Sequence, residues 1–246
     1  IVLTQNALAD GTYLDYANFL YGDRLKTLDG EDSQRAFSEY LANIQKRYEH
    51  DQKFPGEPKQ MRPDENYKSE AGRVQISGQV AVMSINELLV KMLQQKNPEL
   101  SFAMEESFSL PSTYAGAVPL GPIMQLGSDD STTKLTPELA ANSLDYWRDR
   151  ISDVTSTPAE NPARNNTYAH MIMAQGNLFS SQNLSAEAEQ AYRMAQQLTA
   201  SEPEPTGKLY ELLIQTGRAS EAAGVLAQFQ QAHPEKADAL QKLIRP

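Results

Sequence analysis

A 34-residue period in the last third of the chain limits its possible folds more than any other feature. Setting Ala169–Glu202 above Pro203–Lys236 places Gly176 over Tyr210, Phe179 over Leu213, Ala188 over Ala222, Tyr192 over Leu226 and Ala195 over Phe229. Every pair is 34 residues apart. A repeat of roughly 20–50 residues marks an array in which each unit buries its apolar face only against its neighbours. Small residues such as Gly176 and Ala188 let two helices cross closely, and larger apolar ones fill the seam. Each copy therefore predicts a helix-turn-helix unit.

Gly176, Phe179, Ala188, Tyr192 and Ala195 resemble the small, aromatic, small, aromatic and small positions of tetratricopeptide repeats. The second copy keeps Ala222, Leu226 and a closing Pro234. It departs from the pattern at Tyr210, where glycine or alanine is usual, and at Phe229, where a small residue is usual. The two units cover about a quarter of the chain. The resemblance implies a concave surface lined by the first helix of each unit, which takes a partner peptide or helix. The positions that would line it are His170, Met173, Asn177 and Ser180 in the first unit and Glu211, Ile214 and Gln215 in the second. In the chaperone-binding subclass a lysine and asparagines clamp a terminal carboxylate there. Asn177 fits one such place, but Met173 stands where the lysine would, and Glu211 would repel a carboxylate. A neutral, slightly apolar groove for a peptide strand or partner helix is what remains. A groove filled by the protein's own helices is the competing expectation, because two units alone leave apolar faces open. Ala237, Leu240 and Leu243 in the tail are placed to cover one end, and a helix over Leu139–Ile151 the other.

The 246 residues, 40% apolar and 22% charged, suit a folded chain of one or two domains. A formal net charge of -10, with Lys and Arg dispersed among acids, argues against broad nucleic-acid binding and against an anionic membrane surface. No run of about 18 apolar residues is present to span a bilayer. With no cysteine, disulfide and thiolate chemistry are excluded. The chain starts at Ile1 with no charged segment ahead of an apolar stretch, as expected of an excised or processed piece.

Ahead of the repeats the pattern predicts four further segments. Residues 1–51 read as a helical hairpin, Thr12–Leu28 and Asp32–His50 joined at Asp29-Gly30, with Phe37, Tyr40, Leu41, Ile44 and Tyr48 as the stripe of the second helix. These aromatic residues, Tyr16 and Tyr48 included, are read as core and given no ligand. Residues 52–73, broken by Pro55, Pro58 and Pro63, read as a linker whose charges Asp64, Glu65, Lys68 and Glu70 are solvated. Residues 74–136 read as a small α/β element. Its helix, capped by Ser77 or Gly78, runs to Lys96 and ends at Asn97-Pro98. A half-buried strand follows over Leu100–Glu106, and a second edge strand starts at Ile123. Residues 137–162 read as a connecting helix, with Thr136 as its cap, Pro137 at its first position and Trp147 buried, followed by a linker. The repeats and tail occupy 163–246. The fold class is mostly α with a small α/β element and C-terminal helical hairpins of tetratricopeptide type.

The segments Gln79–Met83, Phe102–Phe108, Leu120–Met124 and Asp145–Asp149 resemble the soluble tail of a largely uncharacterised bacterial family of multi-spanning membrane proteins. That family is similar to lipid-linked-sugar glycosyltransferases. This resemblance implies a piece on the extracytoplasmic side of a membrane that assists an enzyme whose catalytic part lies outside the chain; without it the expected setting is cytoplasmic. Catalytic motifs are sparse. His50, His170 and His233 have no partner at a ligand spacing, and P-loop, dinucleotide and nucleophile-elbow patterns are missing from the sequence. Asp129-Asp130 lacks the further ligands a cation needs, and Glu105 and Glu106 would face opposite sides of a strand. The expectation is a non-enzymatic protein-interaction or scaffold module with no cofactor and no metal.

Overall fold

The computed structural model describes residues 2–3, 24–62, 64–70, 73–104, 115–127, 134–156 and 161–244. Described residues up to Phe102 form one unit, apart from Val2, which groups with the second unit formed by those from Ala103. The boundary falls inside the expected 74–136 element: its helix and the strand Arg73–Ser77 belong to the first unit, and the strands Ala103–Met104, Val118–Leu120 and Ile123–Gln125 to the second.

In the N-terminal unit, helix α1 spans Gly30–Lys53 and opens with a reciprocal cap. Asp29 Oδ1 accepts from Glu31 N at 2.9 Å and Asp32 N at 3.0 Å, and Asp32 Oδ2 accepts from Asp29 N at 3.0 Å. Asp29-Gly30, expected as the joint of a helical hairpin, is thus cap and first turn. Residues 24–29 are not helical, so the expected Thr12–Leu28 helix does not reach its end; its earlier part lies outside the described residues. Asp32, Ala36, Tyr40 and Ile44 are the buried face. Phe37, expected on that face, is 45% exposed, because the buried line runs in four-residue steps through the small Ala36.

The expected linker holds a β-hairpin. Strand β1 is Val2–Leu3, and β2 (Asn66–Glu70) pairs antiparallel with β3 (Arg73–Ser77), Tyr67 lying opposite Ile76. Tyr67 and Ile76 pack against the Tyr40, Ile44 and Ala81 cluster. Helix α2, Gln79–Lys96, starts at Gly78, whose φ of 113° and absent Cβ are both required: a Cβ there would lie 1.8 Å from Asp64 O. Gly78 has no side chain with which to cap, and Asp64 Oδ2 accepts from Gln79 N at 2.8 Å instead. Asn97 closes α2 as expected and is fully buried; its amide donates to Leu93 O and Lys26 O and accepts from Lys26 N.

In the C-terminal unit, β4 (Ala103–Met104) pairs with β6 (Ile123–Gln125), and β6 with β5 (Val118–Leu120), in a sheet of order β1-β4-β6-β5. Pro119 sits on the outer strand β5, where a missing N–H costs no ladder bond. Ala103 and Met104 are both buried, so β4 is covered on both sides and not half-buried as expected. Helix α3, Pro137–Ser156, begins at the expected cap, Thr136 Oγ1 accepting from Leu139 N at 3.2 Å. It buries Ala140, Leu144, Trp147 and Ile151. Five helices follow: α4 (Pro162–Ser181), α5 (Ser185–Leu198), α6 (Pro203–Gln215), α7 (Ala219–Ala232) and α8 (Ala237–Ile244). A mostly helical chain with a small antiparallel β part is what the apolar periodicity leads one to expect.

Candidate partner-binding surface

The two helical hairpins α4–α5 and α6–α7 repeat each other down to individual main-chain bonds. At the end of α4, Asn183 N donates to Ser180 O at 3.1 Å and Leu184 N to Phe179 O at 2.9 Å. Thirty-four residues on, Gly217 N donates to Ile214 O at 3.0 Å and Arg218 N to Leu213 O at 2.8 Å. Both are six-to-one turns through a left-handed residue, Asn183 at φ 62° and Gly217 at φ 77°. The same offset relates the start of α5 to that of α7 (Ala188 N to Leu184 O, Ala222 N to Arg218 O) and their ends (Thr199 N to Ala195 O, His233 N to Phe229 O). Helix α4 is longer than α6 because it begins at Pro162, ahead of the aligned Ala169.

Packing follows the same register. Phe179 and Leu213 are fully buried, as are Ala188 and Ala222. At Gly176 an added Cβ would lie 2.6 Å from Tyr192 Cε1, so this glycine sets the closeness of α4 to α5. The second hairpin moves the tyrosine to the first helix, Tyr210, and puts Leu226 on the second. Both ends of the hairpin pair are covered. At one end Leu240 of α8 is fully buried and Leu243 Cβ lies 3.6 Å from where a Cβ of Gly207 would be. At the other, Gln175 Oε1 accepts from Trp147 Nε1 at 3.0 Å and from Ser143 Oγ, while its Nε2 donates to Gly121 O at 2.8 Å. One buried amide thereby ties α3 and the β5–β6 turn to α4.

The surface residues sort into four kinds. His170 is exposed, with Nδ1 3.8 Å from Glu204 Oε2, the residue at its own position one repeat later. Asn177 Oδ1 accepts from Tyr192 OH at 2.8 Å, and Ser180 is half-buried. Glu211 binds Lys208 Nζ at 3.0 Å, while Ile214, 45% exposed, and Gln215 are open to solvent. Met173 is buried in the same core as Ala117 and Met124 and does not line an open surface. Glu204, exposed, and Lys208, half-buried, complete the first-helix row. The 34-residue offset from His170 points to Glu204, and the three-residue step to Glu211 points to Lys208.

Charges on the second helices form a network of their own. Arg218 binds Glu189 of α5 and Glu221 of α7, and Arg193 joins at Glu189. The Arg218 guanidinium holds the Glu189 and Glu221 carboxyls below their ordinary values. Elsewhere the histidines are paired with acids: His50 Nε2 lies 3.2 Å from Glu57 and Nδ1 3.5 Å from Asp51, and His233 Nδ1 3.8 Å from Glu235. Among the described residues no group of three or more His, Cys, Asp or Glu is placed to hold a metal, and no helix is long and apolar enough to cross a membrane. Asp129-Asp130 and Glu105-Glu106 lie outside the described residues. The chain matches no family model, no curated protein and no solved structure.

Proposed function

We propose that the C-terminal unit is a tetratricopeptide-type module that binds a protein partner along the first-helix row, with His170, Asn177, Ser180, Glu204, Lys208, Glu211, Ile214 and Gln215 as its contact residues. The observation that carries this reading is the 34-residue recurrence of turn, cap and packing between the two hairpins. Stacked units of this kind present first-helix side chains at a fixed pitch, which suits an extended peptide or a helix. The row pairs an exposed apolar anchor, Ile214, with short polar side chains and two acid–base pairs, Lys208 with Glu211 and His170 with Glu204. Such a surface gives contact without a charged clamp, so the partner is recognised by shape and apolar contact more than by a terminal carboxylate.

Two surface substitutions, Glu211→Lys and Ile214→Asp, test the reading. A pull-down from the cell that makes the protein should recover a partner with the parent chain and lose it with the double variant, the helical circular dichroism being unchanged. A partner that survives both substitutions would place the contact elsewhere.

A further inference from the structure

The cores of the two units hold different polar groups. Among the described residues, the buried polar side chains of the N-terminal unit are Asp32, Glu65, Glu87, Ser84 and Asn97; those of the C-terminal unit are Ser143, Gln175, Thr199 and Thr206, none of them an acid. Glu65, expected to be solvated, has a fully buried carboxylate that accepts from Tyr40 OH at 2.8 Å, Arg47 Nη2 at 2.6 Å and Arg62 N at 3.1 Å. Asp51 accepts from Gln60 N at 2.7 Å and Met61 N at 3.0 Å. Together they fasten residues 54–62 back along α1, and Met61 packs on the Tyr40, Ile44 and Ala81 cluster. At the other end of α1, Lys96 Nζ lies 3.1 Å from Asp29 Oδ2 and also binds Asp32.

We propose that residues 54–62 form an acid-released strap: protonation of Asp51, which accepts from Gln60 N and Met61 N, frees the segment and opens the α1 face at Tyr40 and Ile44, while the C-terminal unit stays folded. The groups facing these carboxylates are few. Asp51 faces His50, which also faces Glu57. Glu65 faces Arg47 and Tyr40, with the Arg62 guanidinium engaged at Ser84 Oγ. Asp29 and Asp32 face Lys96 and Arg35. His50 lies between Asp51 and Glu57, and the acceptor of the strap amides is Asp51 itself.

The sign is fixed by linkage. The Gln60 N–H, then the Met61 N–H, hold the Asp51 carboxyl below its ordinary value. The Asp32 N–H does the same for Asp29, and Lys96 for Asp32. A carboxylate depressed on folding stabilises above its unfolded value, and that stability is lost as pH falls through the folded one, here below about 4. The depressed acids of the C-terminal unit, the part-buried Glu189 and the exposed Glu221, share Arg218, which is 37% exposed, and neither bonds Trp147 or Gln175.

Amide exchange by NMR, corrected for the intrinsic effect of pH, tests the strap. On going from neutral pH to about 3, the Gln60 and Met61 amides should lose protection. The indole N–H of Trp147, bonded to Gln175, should keep it. Loss of both at one pH, or protection of Gln60 and Met61 throughout, overturns the proposal. Asp51→Ala removes both acceptors and should speed Gln60 and Met61 exchange at least about tenfold at neutral pH, with Val90 in α2 unchanged. Unaltered exchange, or loss of Val90 protection along with the strap, also overturns it.

Discussion

Asn183 and Gly217, 34 residues apart, hold the same left-handed turn between the helices of successive hairpins, at φ 62° and 77°. A side chain in this region costs about 1–2 kcal/mol, less for asparagine than for other non-glycine residues. Asn183→Gly should therefore be neutral or slightly stabilising. Gly217→Val should lower stability by about 1–2 kcal/mol by the same steric cost, read as a shifted midpoint in chemical denaturation. Equal effects at the two sites would mean the turns are not equivalent.

The closeness of α4 and α5 rests on Gly176. Gly176→Ala drives a methyl to within 2.6 Å of Tyr192 Cε1 and should cost about 1–3 kcal/mol. Adding Tyr192→Leu, the residue found at Leu226, should recover part of that loss, since it removes the ring the methyl meets. A double variant no more stable than Gly176→Ala alone would show that the seam is not set by this pair.

Gln175 occupies the place that Leu209 holds in the second hairpin, and both are buried. Gln175→Leu would leave Trp147 Nε1, Ser143 Oγ and Gly121 O without their partner. A loss of about 2–4 kcal/mol is expected from stranded buried groups. The fluorescence of Trp147, the single tryptophan, should change with it.

Glu65→Leu would strand Arg47, whose side chain is 19% exposed, without its buried partner, at a cost of about 3–5 kcal/mol. Near-neutral stability for this variant would contradict the pairing. The Tyr40 hydroxyl, its pKa raised first by burial and then by the Glu65 bond, should titrate closer to its ordinary value in the variant, followed by ultraviolet absorbance.

Much of this was legible where a signal is local or periodic. Thr136-Pro137 marks the start of α3 because cap and first-turn chemistry are set by neighbours in sequence, and the 34-residue period is visible because burial recurs with it. The β2–β3 hairpin was not, since only Tyr67 and Ile76 of its ten residues turn inward, too few to show alternation among polar residues. Glu65 looked solvated because its partners Tyr40 and Arg47 lie 25 and 18 residues away. Met173 fell on a groove-lining position of the repeat, but it is buried in a core that also holds Ala117 and Met124 from the strand region, a non-local arrangement that no repeat alignment contains.

The most direct test of partner binding is a photo-crosslinking amino acid placed at Ile214 in the cell that makes the protein, with the same group at Ala200, exposed between α5 and α6, as the comparison. A discrete protein adduct is expected from position 214 and none from position 200. No adduct from 214, or the same adduct from both, would contradict it.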